Sequence, residues 1–336
     1  MKELKLLGLS LFLVAAFAGC GNNSDVYVAG IDAGDAVLWK NGKVQNLVNK
    51  RDYAASSVFV FGNDVWVSGK SVFTQDGIRL AKLWKNGEEQ TLPFKTTDRN
   101  IFSVYVSGDD VYLAGNEKSV LGTNVARLWK NGEQQKLVSR WETGVEVEYH
   151  IAFAHSVYVS GKDVYVAGNR KNSGEDGKIV VVLWKNGVGV DITDGTNDAF
   201  VNSICVSGND VYIVGSEGNV AKIWKNGEAQ KLSNAFQSCA NSVYVSGNDV
   251  YVAGYEQKIG EGPVAVLWKN GEIQKFTDGK FAAEANSVYV LGSDVYIAGY
   301  EGTKDGKFYA VLWKNGKAKK LTKAQIQANA YSVFVK

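Results

Sequence analysis

Ser242-Val243-Tyr244-Val245-Ser246, then Gly247-Asn248, then Asp249-Val250-Tyr251-Val252-Ala253-Gly254, decides how this chain folds. Both runs are rich in β-branched and aromatic residues, and the pair between them opens with Gly, which suits a two-residue type II′ hairpin turn. A variable stretch follows, then Ala265-Val266-Leu267-Trp268-Lys269, Asn270-Gly271, and a further run to Phe276. Asn-Gly between alternating runs is the strongest short hairpin signal, of type I′. Four antiparallel strands, here called a to d, are therefore written into about 35 residues. Runs such as Val-Tyr-Val-Ala are apolar on both faces, so each sheet needs a cover on either side.

The cover is more of the same. Trp-Lys-Asn-Gly occurs seven times, with Trp at 39, 84, 129, 184, 224, 268 and 313, at intervals of 45, 45, 55, 40, 44 and 45 residues. A period of that size marks a unit that buries its apolar faces only by stacking on copies of itself. The Asp block recurs at Asp25, Asp64, Asp110, Asp163, Asp210, Asp249 and Asp294. The Ser block recurs at Ser57, Ser103, Ser156, Ser203, Ser242, Ser287 and Ser332. The two sets are out of phase, because the first Asp block has no Ser block before it and the seventh Ser block is residues 332–336. A closed ring explains this, since the C-terminal strand then joins the N-terminal sheet and removes both free edges. The expected fold is an all-β, seven-bladed β-propeller of four-stranded antiparallel blades, spanning residues 25–336.

The N-terminus carries a different signal. Lys2 and Lys5 precede an apolar run from Leu6 to Ala18, which is shorter than the roughly 20 residues a membrane span takes and fits a signal-peptide core. Phe17-Ala18-Gly19-Cys20 resembles the bacterial lipobox. That resemblance implies a cleaved signal peptide over 1–19, lipid on Cys20 and a tether over 20–24, with the propeller held at a bacterial membrane, the outer membrane favoured. The chain beyond Cys20 resembles bacterial lipoproteins built from Trp-Lys-Asn-Gly propeller repeats, a likeness that carries over no activity.

Charge and cysteine narrow the partners. The chain has 37 Lys+Arg against 35 Asp+Glu, a balance that gives no reason to expect nucleic acid. Cys205 and Cys239 sit at positions that differ by five strand residues between adjacent blades, about 16 Å at about 3.3 Å each. A disulfide needs Cα atoms within about 7 Å, so two unpaired thiols are expected. No metal, no cofactor and a monomer are expected.

The topology sorts the connections by face. The a–b and c–d turns share one face and are nearly invariant. The b–c and d–a loops share the other and vary in length and content, which makes that face the expected binding face. Its d–a loops are read as 49–55, 93–102, 139–155, 193–202, 233–241, 277–286 and 322–331. The 139–155 loop holds Trp141, Tyr149, His150 and His155, an aromatic and polar set suited to a ligand. It suits equally a small satellite core that pins a long loop. Asn202, Asn241 and Asn286 each precede a block Ser and are the further candidates at the channel mouth.

No nucleophile elbow, zinc-protease helix, phosphate-binding glycine loop or Cys-x-x-Cys is present. The chain is accordingly read as a non-enzyme with no catalytic residues. The leading expectation is an exported, membrane-anchored binding or scaffolding module for a protein partner or a glycan. An outer-membrane assembly factor stands second, and a glycan-active enzyme third.

Overall fold

The computed structural model describes residues 24–48, 53–71, 80–92, 99–119, 122–139, 151–172 and 177–336. They form seven antiparallel sheets in a ring, the expected seven-bladed propeller. Blade 1 has the order Ala328–Val335, Val26–Asp32, Asp35–Lys40, Lys43–Asn46, so the C-terminal segment is its innermost strand. Val333 pairs with Val28, and the edge is sealed by Asp25 N–H to Lys336 O at 2.8 Å and Lys336 N–H to Asp25 O at 2.9 Å. Blade 4 has a fifth strand, Val138–Ser139, which runs parallel to Val188–Asp191 at its outer edge.

The turns are those the residues predict. The seven Asn of Trp-Lys-Asn-Gly have φ of 49–55° and the Gly that follow 80–90°, as type I′ requires. At the a–b turns, Gly62, Gly108, Gly161, Gly208, Gly247 and Gly292 have φ of 56–60°. Each Asn also ties the c–d turn to strand b. Asn270 Nδ2 donates to Asp249 Oδ1 at 2.7 Å, while its Oδ1 accepts the Val250 N–H at 2.8 Å. Lys269 pairs with the same Asp at 2.8 Å. The arrangement repeats in all seven blades, and the Lys and Asn donors hold these carboxyls below their ordinary range.

All seven repeat Trp are fully buried between blades, which leaves none of their rings open to a ligand. Their neighbour is the Gly that ends each Val-Tyr-Val-Ala-Gly run. A Cβ on Gly254 would lie 2.0 Å from the Cys239 carbonyl oxygen and 2.8 Å from Trp268, so only Gly fits. Closer to the axis, each block Ser accepts a hydrogen bond from the next blade. The Val58 N–H reaches Ser332 Oγ at 3.1 Å, Val104 reaches Ser57 at 3.4 Å, and Val157 reaches Ser103 at 3.3 Å. Ile204, Val243, Val288 and Val333 complete the circle on Ser156, Ser203, Ser242 and Ser287 at 3.1–3.4 Å.

Deleting residues 331–336 leaves two unpaired edges and one gap in this circle. We expect the melting temperature to fall by more than about 5 °C, since about 1 kcal/mol moves a domain of this size by a few degrees. A truncated chain that melts within about two degrees of the full one would contradict closure as a source of stability.

Candidate ligand site at the channel mouth

Every strand a breaks its pairing register with strand b at the residue before the block Ser. The bulged residues are Ser56, Phe102, His155, Asn202, Asn241, Asn286 and Tyr331. A bulge leaves one residue unpaired and re-aims its side chain. Around it the framework hardly changes: a buried Ala, Ile or Val stands before it and Ser after it. The bulge position takes five residue types in seven blades, as does the strand-b position after the repeat Gly, which gives the mouth Lys70.

Six of the seven, all but His155, line a cavity of about 440 Å³ at the channel mouth on the variable face. Asn202 Nδ2 donates to the Ala240 carbonyl at 3.0 Å and to Cys239 Sγ at 3.2 Å. Asn241 Nδ2 donates to the Ala285 carbonyl at 3.1 Å, and Asn286 Nδ2 to the Ala330 carbonyl at 3.0 Å. Asn202 and Asn286 thus spend their NH₂ on the next blade and keep an oxygen to offer, while the Asn241 oxygen accepts from Asn202 Nδ2 at 3.4 Å. Lys70 lies at the opposite side of the basin, its Nζ 4.9 Å from the Phe102 ring centre.

Two smaller cavities adjoin the basin. Phe102, Ile151, Phe153, His155, Ile179 and Phe200 line a slot of about 240 Å³. Its polar neighbours are already engaged. Asn169 bonds the Ala199 carbonyl and the Val201 N–H, and Arg170 pairs with Asp191. On the other side Tyr300, Phe308, Ile326 and Tyr331 line a slot of about 270 Å³.

His155 stands where basin and first slot meet. Its ring packs 5.1 Å from that of Phe102 and 5.9 Å from that of Phe153. Burial, and secondarily the Lys70 charge, push the imidazole down to about 4, so it is neutral at pH 7. Burial also pushes the Cys239 thiol up to about 11 and raises Glu284 against its bond to Tyr300. Cys205 and Cys239 are both free thiols, as expected.

Three residues further along each strand, about 10 Å at about 3.3 Å per residue, aromatic rings encircle the channel. Tyr244, Tyr289, Phe334, Phe59, Tyr105 and Tyr158 follow one another at centroid distances of 4.5–5.1 Å. Cys205 takes the seventh place.

The structure therefore gathers His155, Asn202, Asn241 and Asn286 at one mouth. It also corrects their setting, because all four belong to strands and not to loops: strand a of blade 4 is Ala152–Ser160, and the d–a loop ends before it. Trp141, Tyr149, His150 and Cys20 lie outside the described residues. Phe102, Tyr331, Phe153 and Phe200 are functional candidates that the loop-based reading missed. The signal for the first two was present, since they too precede a block Ser.

No family model matches the chain, and no curated protein matches it. Among solved structures, the β-propeller domain of the Trilobed protease from Pyrococcus furiosus, described as having an open velcro topology, is similar over 89% of this chain and 94% of its own. Its TM-score is 0.54 at 12% identity. An acylaminoacyl peptidase from Pyrococcus horikoshii is similar over 89% of this chain, with TM-score 0.50 at 13% identity. A prolyl endopeptidase is similar over 93%, with TM-score 0.50 at 12% identity. This chain spans about half the length of those two peptidases, 52% and 50%. The reading of the chain as a non-enzyme is corrected by these likenesses. It rested on missing motifs, whereas the resembling propellers come from peptidases. At such identities the likeness establishes the fold and transfers no activity.

The environment of His155 makes a pH prediction. Its folded value lies below the ordinary 6.5, so the unfolded chain takes up the proton first as pH falls. Stability is complete above about 6.5 and declines as pH drops towards about 4. NMR titration of a His150→Gln variant isolates the signal, and we expect a midpoint near 4. A midpoint near 6.5 would show a ring in open water.

Proposed function

We propose that this protein is a binding propeller that takes a partner at the mouth of its ring, on the variable face. The carrying observation is the bulge circle: in every blade one strand-a residue is freed from sheet pairing at the mouth, and six of these seven side chains converge on one basin. The loops around the mouth add exposed apolar side chains, Phe236 at 67%, Ile259 at 79%, Phe281 at 42% and Ile326 at 78%. Such residues favour a protein partner over a glycan. Phe102→Ala and Asn241→Ala should weaken capture of the partner at least tenfold, with the melting temperature held within a few degrees. Recovery from native membranes and a glycan array, run with both variants, would check this. Unchanged capture in both would place the site elsewhere.

The second part of the proposal is a lipid anchor on Cys20 in a bacterial envelope. Only Gly21 to Ser24 separate that residue from Asp25, a reach of at most about 14 Å at about 3.5 Å per residue. Strand b of blade 1 starts at the invariant-turn face, beside Lys336. The tether would hold that face to the membrane and point the mouth away. The seven lysines of the Trp-Lys-Asn-Gly turns ring the same face, each paired with a strand-b Asp at 2.7–2.8 Å, so the orientation argued here rests on the tether. Spin labels at Asn248 and Ile259 in lipid-anchored protein should show the first closer to the bilayer. Equal depths, or a deeper Ile259, would contradict the orientation.

A further inference from the structure

We infer that the mouth accepts an extended polypeptide segment laid across the ring, with one bulky apolar side chain in each slot and its main chain over the asparagine arc. This specifies the occupant of the site proposed above and rests on that reading.

The three cavities are one trough. Phe102 is a wall of both the basin and the first slot, and Tyr331 is a wall of both the basin and the second. The first slot belongs to blades 3 to 5 and the second to blades 7 and 1, so they flank the axis from different sides. A small aromatic ligand would fill one slot and leave the rest of the trough idle. An occupant long enough to reach both must be apolar at each end and polar between.

The slots discriminate further. The first has room for an aromatic or branched aliphatic side chain, and its walls are mainly Phe102, Ile151, Phe153, Ile179 and Phe200 with a neutral His155. Of its polar neighbours Asn169, Arg170 and Lys171, the first two are held by their own partners. A sugar ring placed there would find few partners for its hydroxyl groups. The second slot is mixed: it offers Tyr300 against the edge of Phe308, with centroids 5.4 Å apart, and the exposed Ile326 for an apolar side chain, with Gln327 and Asn329 beside them.

The basin asks for the opposite chemistry. Asn202 and Asn286 present amide oxygens whose NH₂ groups are fixed on the next blade, and Ser56 adds a hydroxyl. A polypeptide supplies N–H donors and C=O acceptors at regular intervals without carrying charge. Apolar pockets for alternate side chains, joined by polar contacts to the main chain, are a recurring way to hold an extended segment.

The test is selection of a random dodecapeptide phage library on the full-length protein. Enriched sequences should share two bulky apolar residues flanking a short polar spacer. Synthetic copies, acetylated and amidated, should lose at least tenfold in affinity when either apolar residue becomes Ser. Phe200→Asp and Ile326→Asp, both at exposed positions, should each cost at least tenfold without lowering the melting temperature. Peptides with one apolar anchor, or no enrichment at all, would overturn the inference. A glycan that binds on the array and is lost in both variants would overturn it too, while leaving the mouth as the site. Peptides that bind equally well to both variants would sink the inference and the mouth reading together.

Discussion

The innermost strand of each blade pairs on one side only, and everything nearer the axis follows from how its free edge is satisfied. Alternate N–H groups on that edge point at the preceding blade, where no sheet partner exists, and a buried donor left unpaired costs about 1–3 kcal/mol. The block Ser answers this seven times, its hydroxyl accepting the N–H of the following blade's Val or Ile. Two of the seven bonds exist because residues 328–335 fold back into blade 1. Without them Ser287 would have no donor and Val58 no acceptor. Closure is thus a hydrogen-bonding requirement as much as a matter of sheet edges.

The same belt constrains where variation is allowed. Ser must keep its place against the next blade, and the Ala, Ile or Val two positions earlier must stay buried. The Gly that strand b sets opposite this buried residue has no room for a Cβ, because the Trp of strand c and the strand-a carbonyl crowd it. The single residue between the buried position and Ser is released by the bulge from both duties. It faces the mouth and changes from Ser56 to Phe102 to Asn286 while the Ser belt stays constant, and where it is Asn its NH₂ also bonds the carbonyl of the next blade.

Much of the architecture was legible because each element has a local cause. Asn-Gly names a type I′ turn, Gly before a polar residue names a type II′ turn, and Trp-Lys-Asn-Gly sets the period. The pairing of Asp, Asn and Lys across the c–d turn follows from their fixed places in the repeat. The site was legible only in part. Asn202, Asn241 and Asn286 drew attention as three copies of one residue before a block Ser, whereas Ser56, Phe102 and Tyr331 occupy the same position with no shared chemistry. His155 was read in a loop because Ala154-His155-Ser156 shows no sign of a register slip: a bulge is a geometric event between two strands, and one strand's residues do not declare it. The slots depend on neighbours from different blades, Phe102 beside His155 and Tyr331 beside Tyr300, whose approach only the ring can bring about.

Below the mouth, the circle of six aromatic side chains and Cys205 gives the channel a different character from the basin above it. The rings of Tyr105 and Tyr158 stand 5.0 Å apart and those of Tyr244 and Tyr289 4.7 Å, and burial raises all four hydroxyls above the usual phenol range. Cys205, pushed up to about 11 by the same burial, leaves the place of one ring unfilled between Tyr158 and Tyr244. A partner that binds at the mouth meets this layer as a floor of packed aromatic side chains. The recognition surface then lies across the variable face and not along the axis, which is why an occupant gains more by spanning the two slots than by entering the channel.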